Sequence, residues 1–317
     1  MIRSWRRVRR ATPVDLSAKT FVVTGASPGS LGEATARTLA TWGAAVIVTT
    51  RSRTDEALAA IRDGLEHPAR VTAHPLDLAS ATSVERFADW CHGASGGRLD
   101  ALVNNAGIHL DLLSKWTAPR LTDDGREIHF RTNYLGTAHL TDRLLPLLLG
   151  TARRVGEARV VHVASHLHHR GTNAGLFAPI EPYDSWVAYG VSKLALVHHA
   201  FELERRHGAE GLHATCLHPG AVFTKIADKG LDEAGVLGRV RAAFAPIEAA
   251  MLLTPEEGAQ TQIACATAPG IVGGRYYRDL REAEPNRDAL DEAVSRRLWE
   301  STANWLSTMP STESRLT

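Results

Sequence analysis

The amino-acid sequence predicts an α/β fold with one open, doubly wound sheet of parallel strands and helices on both of its faces. Short runs rich in β-branched residues alternate along the chain with longer segments of helical periodicity. The short runs are apolar at consecutive positions, which is typical of parallel strands buried between two helix layers. About seven strands are predicted, at 20–25, 44–50, 71–78, 99–107, 158–165, 211–220 and within 271–277.

Helices are predicted between the strands because apolar residues recur there at spacings of three and four. Each helix would return the chain across the sheet, so that the carboxyl ends of the strands meet at the edge where such sheets bind ligands. The predicted helices span 31–42, 54–66, 80–94, 122–149, 186–208, 255–268 and 287–306.

The composition is that of an ordinary globular protein, with 44% hydrophobic and 22% charged residues among 317. The net charge of +1 provides no overall field for nucleic acid or an anionic membrane. Cys91, Cys216 and Cys265 lack the spacing of a metal site or disulfide framework, which favours reduced thiols in a cytoplasmic protein. The histidines within 166–169 lack matching carboxylates or thiolates at a diagnostic spacing, so no metal site is predicted.

We expect a single domain over residues 18–308 and a short tail over 309–317, because no repeat or linker divides the chain. Residues 1–17 begin with MIRSWRRVRR, which predicts a solvated basic arm; contact with lipid headgroups or a partner is the alternative. No run is long enough for a membrane span, so stable membrane insertion is not expected. Residues 225–253 are irregular, apolar in places and punctuated by glycine, which suits a mobile substrate lid.

A glycine-rich turn, TGASPGSLGE, joins the first strand to the first helix. Gly25, Gly29 and Gly32 allow the backbone to turn tightly and approach a pyrophosphate, which the free amides at the helix start attract. Together with Ser27 and Leu31 they predict a Rossmann-like, dinucleotide-binding fold; a purely structural turn is the alternative.

The second strand ends in TTRSR, without the Asp or Glu that holds the ribose of NAD in such folds. Arg51, assisted by Arg53, can instead hold a 2′-phosphate through charge-assisted hydrogen bonds. NADP(H) is therefore predicted in preference to NAD(H), and a solvated arginine loop is the alternative.

The third and fourth strands also end in candidate cofactor contacts. Asp77, followed by Leu78, can accept a hydrogen bond from adenine or cap the next helix. Asn105, Ala106 and Gly107 permit close approach of a cofactor, while an amide side chain at this point can tie strand ends together. The sequence leaves both pairs of roles open.

Tyr189 and Lys193 lie four positions apart in a predicted helix, so their side chains project from the same face. A nearby ammonium favours the phenolate, which predicts acid/base chemistry; an exposed surface pair is the alternative. Ser165 ends the fifth strand, at the same sheet edge as the glycine turn. Asn133 lies in the predicted helix 122–149, where its amide either holds a water against a backbone carbonyl or is structural.

Taken in order, the TGxxxG turn, the NNAG strand end, the mid-helix Asn, the strand-end Ser and YxxxK resemble the short-chain dehydrogenase/reductase superfamily over nearly the whole chain. Four stretches are similar to its retinol dehydrogenase and WW-domain oxidoreductase-like branch: LTDDGREIHFRTNYLGTAHLT, HPGAVFTKI, TPEEGAQT and GGRYYRDLREAEPNRDALDEAVSRRLWE. The resemblance implies an NADP(H)-dependent oxidoreductase that interconverts an apolar alcohol and its ketone or aldehyde. The alternatives are a cofactor-binding sensor or interaction protein with little catalysis, and related chemistry such as epimerisation or enoyl reduction.

The resemblance also implies residue roles. Tyr189 would be the general acid or base, and Lys193 would bind the nicotinamide ribose and lower the pKa of Tyr189. Ser165 would hydrogen-bond the substrate oxygen, and Asn133 would hold a water that connects Lys193 to solvent. A homodimer or homotetramer would form through the long helices flanking the active site. Further cofactor contacts would come from Pro219, Gly220, Val222 and Thr224.

Three features depart from the family pattern. Two residues separate Gly29 and Gly32 where the family usually has one, which alters the expected phosphate contacts. The hydrophobic N-terminal anchor common in vertebrate retinol dehydrogenases is not seen, so membrane attachment is not carried over. The stretch between Ser165 and Tyr189 is longer than in the simplest members. Its apolar side chains suit either a pocket wall or the core: Leu176, Phe177, Tyr183 and Trp186.

Overall fold

The computed structural model describes residues 8–109, 116–222 and 252–309, and it confirms the α/β class and the doubly wound sheet. The strand order is β3-β2-β1-β4-β5-β6-β7-β8, with β1 to β7 parallel and β8 antiparallel to β7. The strands are β1 Thr20–Thr24, β2 Ala45–Thr50, β3 Val71–Pro75, β4 Ala101–Asn104, β5 Ala158–Val163, β6 Leu212–His218, β7 Tyr276–Arg278 and β8 Arg281–Glu282.

The sheet has one strand more than the roughly seven expected, because β7 turns back into the two-residue strand β8. Asp279 and Leu280 make this turn with φ angles of 51° and 61°. Two successive residues with positive φ are typical of a tight hairpin whose twist matches that of the strands. The added strand lies at the edge of the sheet, away from the strand order reversal between β1 and β4.

Helices cover both faces of the sheet in the described part of the chain. Their bounds are α1 Leu31–Thr41, α2 Thr54–Arg62, α3 Ala81–Ala94, α4 Gly136–Val155, α5 Ser185–His207, α6 Pro255–Gly258, α7 Gln260–Thr267 and α8 Glu292–Ser307. One core layer joins α3, α4 and α5 to the sheet, and the opposite layer joins α1, α2 and α7. A third cluster packs α8 against α5 and the start of α4.

The predicted helix 122–149 is displaced along the chain. Residues 122–125 form a turn, in which the amide of Gly125 donates to the carbonyl of Thr122 at 2.8 Å and Gly125 has a φ of 73°. A π-helical turn, Phe130–Leu135, then leads into α4. α4 continues to Val155 and ends where Gly156 adopts a φ of 94°. A glycine with positive φ therefore lies in the turn before the helical residues, and another ends α4.

Part of the expected basic arm packs on the domain. Ala11 and Leu16 are buried, with exposures of 7% and 1%. The amide of Ala11 donates to Oε1 of Gln260 at 2.9 Å, and the amide of Leu16 donates to the carbonyl of Trp42 at 2.9 Å. Ala11 and Leu16 therefore pack on the predicted domain, while residues 1–7 lie outside the described part of the chain.

Other expectations fall largely outside the described residues. The predicted lid over 225–253 is described only at Leu252 and Leu253, and the predicted tail over 309–317 only at Met309. Leu253 forms a parallel bridge with Val222. Within the described ranges, no helix has the length and apolar character needed to cross a bilayer.

Candidate active site

The glycine turn is packed against the end of β4, at the point where the strand order reverses. Gly25 has a φ of 72°, and a Cβ there would lie 2.8 Å from Cα of Ala106. A Cβ on Gly32 would lie 2.5 Å from the carbonyl oxygen of Gly25. Nδ2 of Asn105 donates to the carbonyls of Thr24 at 2.8 Å and Gly25 at 3.2 Å. The Asn105 side-chain amide thus ties the end of β1 to the end of β4, which is the structural one of its two expected roles. Its contact with a cofactor stays a prediction.

The start of α1 is capped by its own side chains. The hydroxyl of Ser30 accepts from the amide of Glu33 at 3.2 Å, as an N-cap residue does. The Glu33 carboxylate reaches back and accepts a hydrogen bond from the amide of Gly29. The Gly29 amide, which the sequence predicts to bind a phosphate, therefore donates its hydrogen bond to the Glu33 carboxylate instead.

The two arginines after β2 differ in their surroundings. Arg53 begins α2 in a left-handed conformation and pairs with the carboxylate of Glu56. Arg51 is exposed and has no carboxylate partner in the described part of the chain. Of the two arginines, Arg51 is therefore the one whose guanidinium is available to bind a ligand.

Asp77 shapes the loop after β3, and the cap of the next helix is a different residue. Oδ1 of Asp77 accepts from the amide of Ala79 at 2.9 Å, while the Ser80 hydroxyl caps α3. Leu78 is buried, and its carbonyl accepts from Nη1 of Arg131 at 2.7 Å. Asp77 remains a candidate adenine contact, whereas the helix-cap interpretation of it is wrong.

Lys193, Asn133 and Gly107 come together near the carboxyl ends of β4 and β5. Lys193 is 4% exposed, and its Nζ donates to the carbonyl of Val163 at 3.0 Å. A Cβ on Gly107 would lie 3.0 Å from that Nζ and 3.3 Å from Oδ1 of Asn133. The ammonium lies 5.8 Å from the centroid of the Tyr189 ring. A side chain at position 107 would therefore crowd both polar groups.

The pKa values of the Tyr189 and Lys193 side chains are governed by burial. Burial raises the pKa of Tyr189 to about 12, although a hydrogen bond with the Ser165 hydroxyl acts in the opposite direction. Burial also lowers the pKa of Lys193 to about 8. The lowering of the phenol pKa expected from Lys193 is not seen, since the two influences on this pKa are removal from water and the hydrogen bond with Ser165. At neutral pH the Tyr189 hydroxyl is therefore protonated.

Asn133 lies in the π-helical turn and links two segments of the site. Its Nδ2 donates to the carbonyl of Ile108 at 3.0 Å and to the hydroxyl of Ser192 at 3.0 Å. Its Oδ1 accepts from the amide of Ile108 at 2.7 Å. The side chain thus fixes the loop after β4 against α5, and the water assigned to Asn133 stays a prediction.

The loop after β6 lies next to the end of β5. The amide of His166, which follows Ser165, donates to Nδ1 of His218 at 3.2 Å. Pro219 and Gly220 follow, and Gly220 adopts a φ of 90° beside Leu253. Val222 is described at the bridge to Leu253. Thr224 lies outside the described residues, so its predicted phosphate contact stays a prediction.

Two histidines beside Tyr189 were missed by the sequence reasoning. The imidazole of His109 stacks on the Tyr189 ring, with 4.1 Å between centroids and 15° between planes. His129 meets the same ring edge-on at 6.0 Å, and Trp186 meets His109 edge-on at 4.9 Å. Nδ1 of His129 is 2.8 Å from Oε1 of Glu127. The position of His109 just after NNAG was the available signal, since that strand end was already assigned to the site.

The long loop before α5 contributes to two different places. Leu176, Phe177 and Tyr183 line a cavity between α5 and α8, whereas Trp186 belongs to the ring cluster around Tyr189. In the same loop, Nδ1 of His168 bonds to the carbonyl of Ser165 at 2.6 Å. Among the described residues, no group of His, Cys, Asp or Glu is arranged to hold a metal ion.

The chain is similar to known proteins over most of its length. The model of the short chain dehydrogenase family matches residues 19–234. The chain is 39% identical to the polyprenol dehydrogenase of Mus musculus over 287 residues, which cover 88% of this chain and 81% of that protein. It is 36% identical to retinol dehydrogenase 14 of Homo sapiens over 320 residues, which cover 93% and 88% of the two chains.

A solved structure extends the similarity to the fold. The Pseudomonas aeruginosa RhlG/NADP active-site complex is 28% identical with a TM-score of 0.60, covering 84% of this chain and 96% of that one. The parallel sheet, the order of the motifs and the extent of the sequence match all indicate the same family. The chain therefore belongs to the short-chain dehydrogenase family of oxidoreductases, in its retinol dehydrogenase-like branch.

Proposed function

We propose that the protein is an NADP(H)-dependent oxidoreductase that interconverts an apolar alcohol and its ketone or aldehyde, with Tyr189 as general acid and base. The observation that supports this most directly is the half-buried Tyr189 side chain, whose hydroxyl is hydrogen-bonded to Ser165 and whose ring centre lies 5.8 Å from the ammonium of Lys193. Two similar proteins are named as a polyprenol dehydrogenase and a retinol dehydrogenase, and both polyprenol and retinol are apolar alcohols.

The residues present fit a nicotinamide dinucleotide. Gly25 and Gly107 lack side chains at two points where the backbone must be approached closely, and the turn leads into the start of α1. When bound, such a cofactor supplies or accepts the hydride. We assign its pyrophosphate to the turn containing Gly25, Ser27, Gly29, Leu31 and Gly32.

The chain's own residues would handle the proton and the substrate oxygen. In the reducing direction, the Tyr189 phenol donates its proton to the carbonyl oxygen, and the Ser165 hydroxyl donates a hydrogen bond to the same oxygen. In the oxidising direction, the phenolate of Tyr189 accepts the alcohol proton. Because burial raises the pKa of Tyr189 to about 12, oxidation should speed up as the pH rises, whereas reduction should proceed at neutral pH.

The test of this proposal is the loss of one hydroxyl. Tyr189→Phe should lower the rate of NADPH oxidation with a panel of apolar ketones and aldehydes by about 1,000-fold, because a positioned general acid contributes that much. NADPH binding, followed by nucleotide fluorescence, should be unchanged. Tyr277→Phe is the control, since Tyr277 lies on β7 and bonds the backbone of Val272.

Turnover that survives the Tyr189→Phe change would refute the assigned acid. Tight NADPH binding without turnover on the whole panel would instead favour a sensor or interaction protein on the same fold. The cytoplasmic location expected from the three free, buried cysteines remains a prediction.

Arg51 is the basis for preferring NADP(H) over NAD(H). Arg51→Ala should weaken NADPH binding about tenfold and leave NADH binding unchanged, because only NADPH carries the additional phosphate. Arg53→Ala is the matched control and should have the smaller effect, since Arg53 is already paired with Glu56. Equal losses for the two nucleotides in Arg51→Ala would remove the basis for the preference.

A further inference from the structure

A large cavity lies between the turn around 119–127, the loop around 175–183, α5 and α8. Its volume is about 720 Å³, within the range of small-molecule sites. Its apolar lining includes Leu121, Phe130, Leu176, Phe177, Ile180 and Trp305. Nothing in the mechanism above uses this space.

The cavity is separated from the reacting centre by a wall of polar side chains. Ala188 and Val191 of α5 face the cavity, while Tyr189 and Lys193 turn toward the catalytic edge. Between them, the Tyr183 hydroxyl donates to Oε1 of Glu127 at 3.0 Å. The same carboxylate contacts His129, whose ring stands edge-on to Tyr189. An occupant of the cavity would therefore not reach the Tyr189 hydroxyl.

Two arginines give the cavity a positive rim. Arg126 and Arg297 line it and are exposed, and neither has a carboxylate partner among the described residues. The Arg297 guanidinium lies 4.0 Å from the centroid of the Phe177 ring, which holds the charge above the apolar floor.

Two carboxylates also line the cavity, but they differ in availability. The Glu127 carboxylate is engaged by His129, by Tyr183 and by the amide of Phe130 at 2.8 Å. Glu181 is exposed. Two available cations thus face one available anion. A ligand that matches both the floor and the rim has an apolar body and one anionic group.

We propose that this cavity is a second ligand site, separate from the alcohol site, which binds an amphiphilic anion such as a medium-chain carboxylate. The apolar chain lies against Phe177, Leu176 and Trp305, and the carboxylate pairs with Arg297 and Arg126. Each part of the ligand has a counterpart in the lining, so removing either counterpart should weaken binding independently of the catalytic residues.

The experiment is calorimetric titration of the NADPH-loaded protein with dodecanoate, with dodecanol as the uncharged comparison. Dodecanoate should bind at least about fivefold more tightly than dodecanol, since a charge-assisted pair is gained. Arg297→Gln should weaken dodecanoate binding about fivefold and leave dodecanol binding unchanged. Arg296→Gln is the matched control on α8, because Arg296 is exposed but does not line the cavity.

Two blocking variants separate this site from the catalytic one. Ser301 and Ala178 are exposed positions in the lining, so Ser301→Trp or Ala178→Trp should fill the cavity and abolish dodecanoate binding while the protein stays folded. NADPH affinity and carbonyl reduction should be retained in both. Undiminished dodecanoate binding in a folded blocking variant, equal loss in Arg296→Gln and Arg297→Gln, or no binding to the unaltered protein would each overturn the proposal.

Discussion

At the scale of single residues, the proposed catalytic pair, Tyr189 and Lys193, shows how burial disfavours the charged form of a side chain. Lys193 is surrounded by protein, and its ammonium has one described hydrogen bond, to the carbonyl of Val163. Removal from water lowers its pKa to about 8 from the ordinary value of 10.5. The folded protein therefore holds a cation that solvent would accommodate better, which is a cost in stability accepted at a functional site.

We expect Lys193→Met to stabilise the protein at pH 7 while abolishing carbonyl reduction. Methionine has a similar length and no charge to bury, so the free energy of unfolding should increase by about 2 kcal/mol. The folded pKa of Lys193 lies below the unfolded one, so the cost is full below pH 8 and disappears as the pH rises toward 10.5. Urea unfolding at several pH values measures this difference, which should shrink above pH 8. A variant less stable than the unaltered protein at pH 7 would contradict it.

At the scale of elements, the start of α1 carries an internal anion. The Glu33 carboxylate accepts from the amide of Gly29, and Ser30 caps the helix. Both groups satisfy backbone amides that would otherwise remain free at a helix start. In the lengthened turn TGASPGSLGE, the Glu33 carboxylate thus lies against the backbone amide of Gly29. A phosphate group reaching Gly29 would displace this carboxylate and meet its negative charge.

Glu33→Gln should therefore strengthen NADPH binding about threefold, because the competing charge is removed while most of the side-chain volume stays. The effect should diminish at high salt, as a charge interaction at a partly exposed site does. Glu66→Gln, at an exposed position between α2 and β3, provides the control for a change in net charge. Fluorescence titration with NADPH measures both. Weaker binding in Glu33→Gln would show that the carboxylate supports the cofactor site.

At the scale of the whole molecule, α8 packs on α5, on the π-helical turn and on the start of α4. The Thr302 and Tyr134 hydroxyls are 2.7 Å apart, and Nδ1 of His198 is 2.7 Å from the hydroxyl of Ser295. The Trp299 and His199 rings stack at 5.2 Å. α8 therefore occupies part of the α5 surface. The homodimer or homotetramer expected through the long helices stays a prediction.

Removing α8 should expose the apolar residues of α5, the π-helical turn and the start of α4 on which it packs, and create an association surface. A chain ending at Asp291 is expected to form larger species or to precipitate, while the full chain keeps one defined mass. Light scattering coupled to size-exclusion chromatography measures both. A shortened chain that stays monodisperse at an unchanged association state would contradict the covering role of α8.

Much of the fold and the site could be predicted because the relevant signals are local. Apolar strands, glycines at turns and the four-residue spacing of Tyr189 and Lys193 follow from backbone geometry that neighbouring residues determine. The helix start at 122 was wrong because one glycine, Gly125, breaks the pattern. The eighth strand was not predicted because its two residues, Arg281 and Glu282, become a strand only by pairing with β7 after the chain has turned back.

The sequence by itself determined the fold class, the strand ends that carry candidate binding residues, and the candidate catalytic residues, since each depends on short-range patterns. Tertiary structure alone decided the direction of the Tyr189 pKa, the stacking of His109, and the cavity beneath α8. Burial and ring packing depend on segments distant in the chain, and no local pattern specifies which of them will meet.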